Sequence, residues 1–125
     1  MTWIAVLVGG ALGSLARYGV NVALAERLGH GTAWGTLAVN VVGSFLAGAV
    51  LVLADERGSI GPQARAFLIA GVLGGVTTFS TFSIETVRFL DEGRPELAGL
   101  NIAANVTLSL LSAAAGLILA RSLAA

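Results

Sequence analysis

Residues 64–86 read ARAFLIAGVLGGVTTFSTFSIET. The opening residues 64–74 have the composition of a helix entering a membrane. The rest places paired glycines, a run of threonine and serine, and Phe79 and Phe82 where an uninterrupted apolar helix is expected. Gly74-Gly75 followed by Thr77-Thr78 is a poor helical centre, because Gly disfavours helix by about 1 kcal/mol relative to Ala and β-branched Thr loses side-chain freedom. At membrane depth a break survives only where the freed carbonyls and amides find an ion, water or protein partner. The expected element is therefore a membrane span of about 27 residues, longer than a straight crossing requires, with a break near its middle. Carbonyls freed there can bind a cation. Phe79 and Phe82 project close together from the resumed helix, where they either pack in a core or turn the positive edges of their rings to an anion.

The rest of the chain has the same character. It has 125 residues, enough for one domain, of which 56% are hydrophobic and 11% charged. Mean hydropathy is +0.89, whereas a soluble domain carries roughly 25% charged residues. The formal net charge of zero gives no reason to expect nucleic acid as a partner. The absence of cysteine excludes disulfides and thiolate metal sites. The apolar start lacks the basic region of a signal peptide and reads as a retained first span.

Four stretches reach the roughly 20 apolar residues that a helix needs to cross the hydrocarbon core: 2–25, 33–53, 64–90 and 97–121. ERLGHGT, DERGSIGP and DEGRPE separate them, each with the Gly or Pro of a turn. Runs such as LAGAVLVLA lack the two-residue alternation of a β-barrel strand. The expected fold is all-α, a single four-helix transmembrane domain over residues 1–125 in contact with the lipid bilayer. Arg57, Arg65 and Arg121 fall on one side of it, and Arg27, Arg88 and Arg94 on the other. This balance gives no orientation preference under the positive-inside rule. Either the amino terminus or a partner sets orientation, or the chain inserts both ways and pairs with an inverted copy of itself. Four short helices leave little room for an aqueous path, which also favours a two-fold dimer. Gly9 and Gly13, Gly43 and Ala47, and Gly71 and Gly75 let helices approach closely, within one chain or between copies.

Polar groups inside a span usually face a partner or a pathway. Thr36 and Asn40 share one face of the second span, where Asn40 can make an interhelical hydrogen bond or donate to an anion stripped of water. Asn101, Asn105, Ser109 and Ser112 form a continuous stripe on the fourth span. Amides and hydroxyls without carboxylates suit an anion path, and the acidic residues lie near span ends, with Glu85 the exception left open. Arg17, inside the first span, either snorkels to the interface or supplies positive potential at a vestibule. Trp3, Tyr18 and Trp34 read as interfacial anchors.

Three segments, GGALGSLARY (9–18), TLAVNVVGSFLAG (36–48) and GVLGGVTTFSTFSIE (71–85), resemble the signature segments of the small fluoride ion channels, the Fluc (CrcB) family. The resemblance implies an antiparallel, dual-topology homodimer in the bacterial inner membrane, multi-pass, allowing passive efflux of cytoplasmic fluoride. It implies that Asn40, Phe79 and Phe82 line the fluoride pathways. Ser80 and Ser83 follow as further pore contacts, and Asn105 and Ser109 as contacts from the fourth span. It also implies a structural, non-transported sodium ion (Na+) held by backbone carbonyls of Gly74 and Thr77 from both subunits. The alternative is a small multidrug-resistance-type exporter, also four-helical; it needs a carboxylate deep in the membrane, and the first span has none. An enzyme is not expected, since the sole histidine, His30, sits in a loop and no acid–base pair is apparent.

Overall fold

The computed structural model describes residues 1–123, and these are helical throughout apart from short connections. Helix α1 is Thr2–Leu28 and ends at Gly29, whose φ of 102° lies in the region that favours glycine. Helix α2 is Trp34–Leu51, extended by a wider π-helical turn over Val52–Glu56. Pro62, suited to a first helical turn by its fixed φ, opens α3 (62–76), whose middle, Ala66–Leu73, is also π-helical. Helix α4 is Phe79–Asp91 and α5 is Pro95–Leu123.

Four helical rods, Thr2–Leu28, Trp34–Glu56, Pro62–Asp91 and Pro95–Leu123, are long and apolar enough to cross a membrane. They run up to three residues past the spans expected from sequence, because a helix continues through residues such as Glu26 and Arg27 after the hydrocarbon requirement is met. Two bidentate ion pairs clasp one end of the bundle: Arg65 with Asp55, at 2.8 and 3.2 Å, and Arg121 with Glu56.

Helix α1 packs chiefly on α3, α2 packs along α5, and α4 packs on α5. Glycine permits the first two approaches. A Cβ on Gly9 would lie 2.6 Å from the Phe67 carbonyl oxygen, and one on Gly71 would lie 3.0 Å from the Gly9 Cα, so the two small-residue pairs read from the sequence meet each other. Gly48 backs onto the Ala113 carbonyl and Gly116 onto that of Phe45. The sequence had singled out neither. The bundle is inverted relative to a water-soluble protein: Leu7, Leu15, Leu110 and Ile118 face outward, while Thr36, Thr78, Glu85, Thr86, Asn101 and Asn105 are buried. An apolar exterior is unfavourable in water and is solvated in hydrocarbon.

Candidate functional site

Helical geometry stops at Val76. Thr77 (φ −78°, ψ 154°) and Thr78 (φ −153°, ψ 118°) are extended, and α4 starts at Phe79. Thr77 ends α3, with both its N–H and its hydroxyl donating to the Leu73 carbonyl, at 3.0 and 2.8 Å. Thr78 starts α4, its hydroxyl oxygen accepting the Thr81 N–H at 3.1 Å as an N-cap. The polar backbone of Thr78 is left without helical partners, and Asn40 takes both groups. Asn40 Oδ1 accepts the Thr78 N–H at 2.8 Å and Asn40 Nδ2 donates to the Thr78 carbonyl at 3.1 Å. Because the Thr78 N–H is turned to Asn40, the Gly74 carbonyl loses the donor that a continuous helix would give it.

From Asn40 the polar contacts continue across the bundle. Asn40 Nδ2 also donates to Asn105 Oδ1 at 3.0 Å. Asn105 Nδ2 donates to Asn101 Oδ1 at 2.9 Å, and Asn101 Nδ2 to Thr86 Oγ1 at 3.0 Å. The Thr86 hydroxyl donates to the Phe82 carbonyl at 2.8 Å. Every amide in the series is satisfied, as buried polar groups must be.

Beside this belt lies a cavity of about 350 Å³ lined by Asn40, Ser44, Thr77, Thr78, Phe79, Phe82, Asn105 and Ser109 among others. The Phe79 and Phe82 rings meet edge to face, centroids 5.3 Å apart at 63°. They differ in setting: Phe82 is 7% exposed and Phe79 is 77% exposed. Ser109 Oγ is buried with no hydrogen-bond partner among the described residues. The cavity lining therefore joins a hydroxyl without a partner among the described residues, two amides whose N–H groups are held within the belt, and two aromatic rings, with no carboxylate.

Of the other expected site residues only Thr77 lines this cavity; Thr36, Ser80, Ser83, Arg17 and Gly74 do not. Thr36 is fully buried and donates to Glu85 Oε1 at 2.8 Å, so one turn of α2 separates two distinct polar contacts. Glu85 Oε2 is buried without a partner among the described residues. The Ser80 hydroxyl is 3.3 Å from that of Thr78, and Ser83 donates to the Phe79 carbonyl at 2.8 Å. Both serines serve the first turns of α4. Arg17 is half-buried on α1 and forms no ion pair among the described residues. Gly74 is exposed and Thr77 half-buried at the end of α3. Thr86 was not anticipated, although Phe82, Glu85, Thr86 and Phe89 recur at spacings of three and four and form the buried face of α4.

The fold and cavity define a small four-helix membrane protein whose polar groups are turned inward. The chain belongs to the family described as CrcB-like protein, Camphor Resistance (CrcB), which matches residues 4–117. It is 45% identical over 115 residues to a protein of Rhizobium meliloti (strain 1021) named fluoride-specific ion channel FluC, covering 92% of each chain. Proteins of the same name from Agrobacterium fabrum and Sphingopyxis alaskensis are each 44% identical, over 94% and 96% of this chain and 94% and 95% of their own. The likeness read from three sequence segments is thus shown over nearly the whole length. The relatives are named as ion channels, a class outside the enzymes, and with four spanning helices the chain is a multi-pass membrane protein.

Proposed function

We propose that this chain is a fluoride-selective channel of the bacterial inner membrane, giving cytoplasmic fluoride a passive way out. The observation that carries the proposal is the cavity lined together by Asn40, Asn105, Ser109, whose hydroxyl has no partner among the described residues, and the Phe79 and Phe82 rings. The names of the relatives support the choice of fluoride. A small anion holds its water tightly, so closely spaced donors in a narrow path replace that water, while chloride is too large to gain the same contacts. Ser109 donates to the anion, and the Asn40 amide shares an N–H with it in place of the Asn105 bond.

The working unit is an antiparallel, dual-topology homodimer of a single four-helix domain with two pathways. The balance of arginines supports insertion in both orientations. The outward-facing Phe79 supports a cavity wall completed by a second copy. In this reading Thr77 and Thr78 break the third membrane span, and a structural sodium ion sits at the dimer interface. The Gly74 carbonyl, released from helical bonding, and the Thr77 carbonyl are oxygen donors of the kind hard cations take. The sodium ion supplies positive charge that compensates those carbonyls, while the chain's own residues line the anion path.

Purified protein in liposomes tests the proposal. Fluoride efflux with chloride retained is the expected result; equal efflux of both ions, or none of either, overturns it.

A further inference from the structure

Asn101 and Thr86 do not line the cavity, yet they complete a circuit around the first turn of α4. The Thr86 hydroxyl spends its only proton on the Phe82 carbonyl, so toward Asn101 its oxygen can only accept. Asn101 must then present Nδ2 to Thr86 and turn Oδ1 toward Asn105. Asn105 answers with Nδ2, leaving its Oδ1 to accept from Asn40, and Asn40 closes on the backbone of Thr78. Two further bonds demand the same direction. Asn105 Nδ2 also donates to the Asn101 carbonyl at 3.0 Å, and the Thr78 N–H donates to Asn40 Oδ1. Since Thr78 and Phe82 bracket one helical turn, the circuit grips both ends of the segment that carries Phe79 and Phe82. From the Thr78 N–H through Asn40, Asn105, Asn101 and Thr86 to the Phe82 carbonyl the donors run one way, the condition under which each bond polarises the next, and only the Asn40 bond to the Thr78 carbonyl points back.

We infer that Asn101 and Thr86 are positioning residues for the phenylalanine pair and for Asn40. Through Asn105 they fix the rotation of the first turn of α4 and the facing of the Asn40 amide, without touching the anion. The consequence for flux rests on the proposed channel function; the coupling to Asn40 does not.

Thr86→Val keeps the side-chain shape and removes the hydroxyl, Thr86→Ser keeps the hydroxyl, and Asn101→Leu is a near-isosteric break at the middle of the circuit. Hydrogen exchange of the Asn40 carboxamide, followed by NMR on the labelled full chain in micelles, reads the coupling directly. Exchange about tenfold faster is expected in Thr86→Val and Asn101→Leu, the scale of one lost hydrogen bond, with the unaltered rate in Thr86→Ser. Fluoride efflux from liposomes should fall in the same two variants by about the same factor and hold in Thr86→Ser. Unchanged Asn40 exchange in the folded variants overturns the inference, and faster exchange with undiminished flux overturns the positioning role. If the unaltered protein moves no fluoride, the exchange measurement still decides the circuit, and only the channel reading falls.

Discussion

Asn40 on α2 and Thr78 between α3 and α4 form a reciprocal pair: the Asn40 carboxamide accepts from the Thr78 N–H at 2.8 Å and donates to its carbonyl at 3.1 Å. One side chain thereby replaces the two backbone partners that an unbroken helix would have given Thr78. With its second amide hydrogen on Asn105, Asn40 holds the bundle together at the same point where it borders the cavity.

Asn40→Asp is expected to remove both roles. The carboxylate keeps the size but loses both donors, facing the Thr78 carbonyl and Asn105 Oδ1 with negative charge. Fluoride flux in liposomes should fall below detection, and unfolding in detergent should show a loss of about 1–3 kcal/mol, the range for a buried polar group left without its partner. Normal flux would remove Asn40 from the pathway.

Phe79→Ile and Phe82→Ile should separate ring chemistry from packing. Each removes an aromatic ring from the cavity lining, so both should slow fluoride efflux by roughly two- to tenfold, the worth of an aromatic contact. Only Phe82→Ile should lower the unfolding temperature, because Phe82 is buried while Phe79 is exposed. Full flux through both variants would mark the rings as packing.

The glycine approaches predict a contrast within one residue type. A Cβ on Gly48 meets the Ala113 carbonyl oxygen, whereas one on Gly19 meets nothing within 4 Å. Gly48→Ala should destabilise by about 1–3 kcal/mol through overpacking. Gly19→Ala should leave stability unchanged or raise it by up to about 1 kcal/mol through helix propensity. Thermal unfolding of the two variants side by side checks the sign.

Two ion-level measurements address the assembly. Replacing sodium with a large organic cation should reduce fluoride flux in the unaltered protein, with recovery on its return; indifference would dismiss the cation assigned to Gly74 and Thr77. The chain contains no cysteine, so Glu96→Cys provides a unique label. It should react from both faces of the membrane, and labelling from one face alone would exclude dual topology.

The four spans were legible because their length and apolarity are set by the solvent, so no tertiary information is needed to see them. The inward residues of α5 were legible for a related reason: Asn101, Asn105, Ser109 and Ser112 recur at helical spacing. Partner choice was not legible. Thr36 and Asn40 share one face of α2, yet one meets Glu85 and the other the backbone of Thr78. That division depends on where α2, α4 and α5 cross, and the α2–α5 crossing is set by Gly48 and Gly116, which read as ordinary small residues until both helices are in place. The spacing of Phe82, Glu85, Thr86 and Phe89 marks the buried face of α4 but not a partner for Thr86, whose hydroxyl gains meaning only from Asn101.

Thr77 and Thr78 also divide the bundle by packing allegiance. Helix α3, ahead of them, lies chiefly against α1, while α4, after them, lies chiefly against α5 and so joins the α2–α5 pair. The third rod is thus shared between two mechanical modules, and the extended pair is the joint between them. Substitutions distant from the joint and on opposite sides of it should combine additively. Departures from additivity should gather at residues that span the modules: Asn40 through its bonds to Thr78, Gly43, where a Cβ would meet the Thr77 methyl, and the α1–α2 contact, where Gly35 lies against Asn21. Away from the joint and the α1–α2 contact, the modules can then drift independently over evolution.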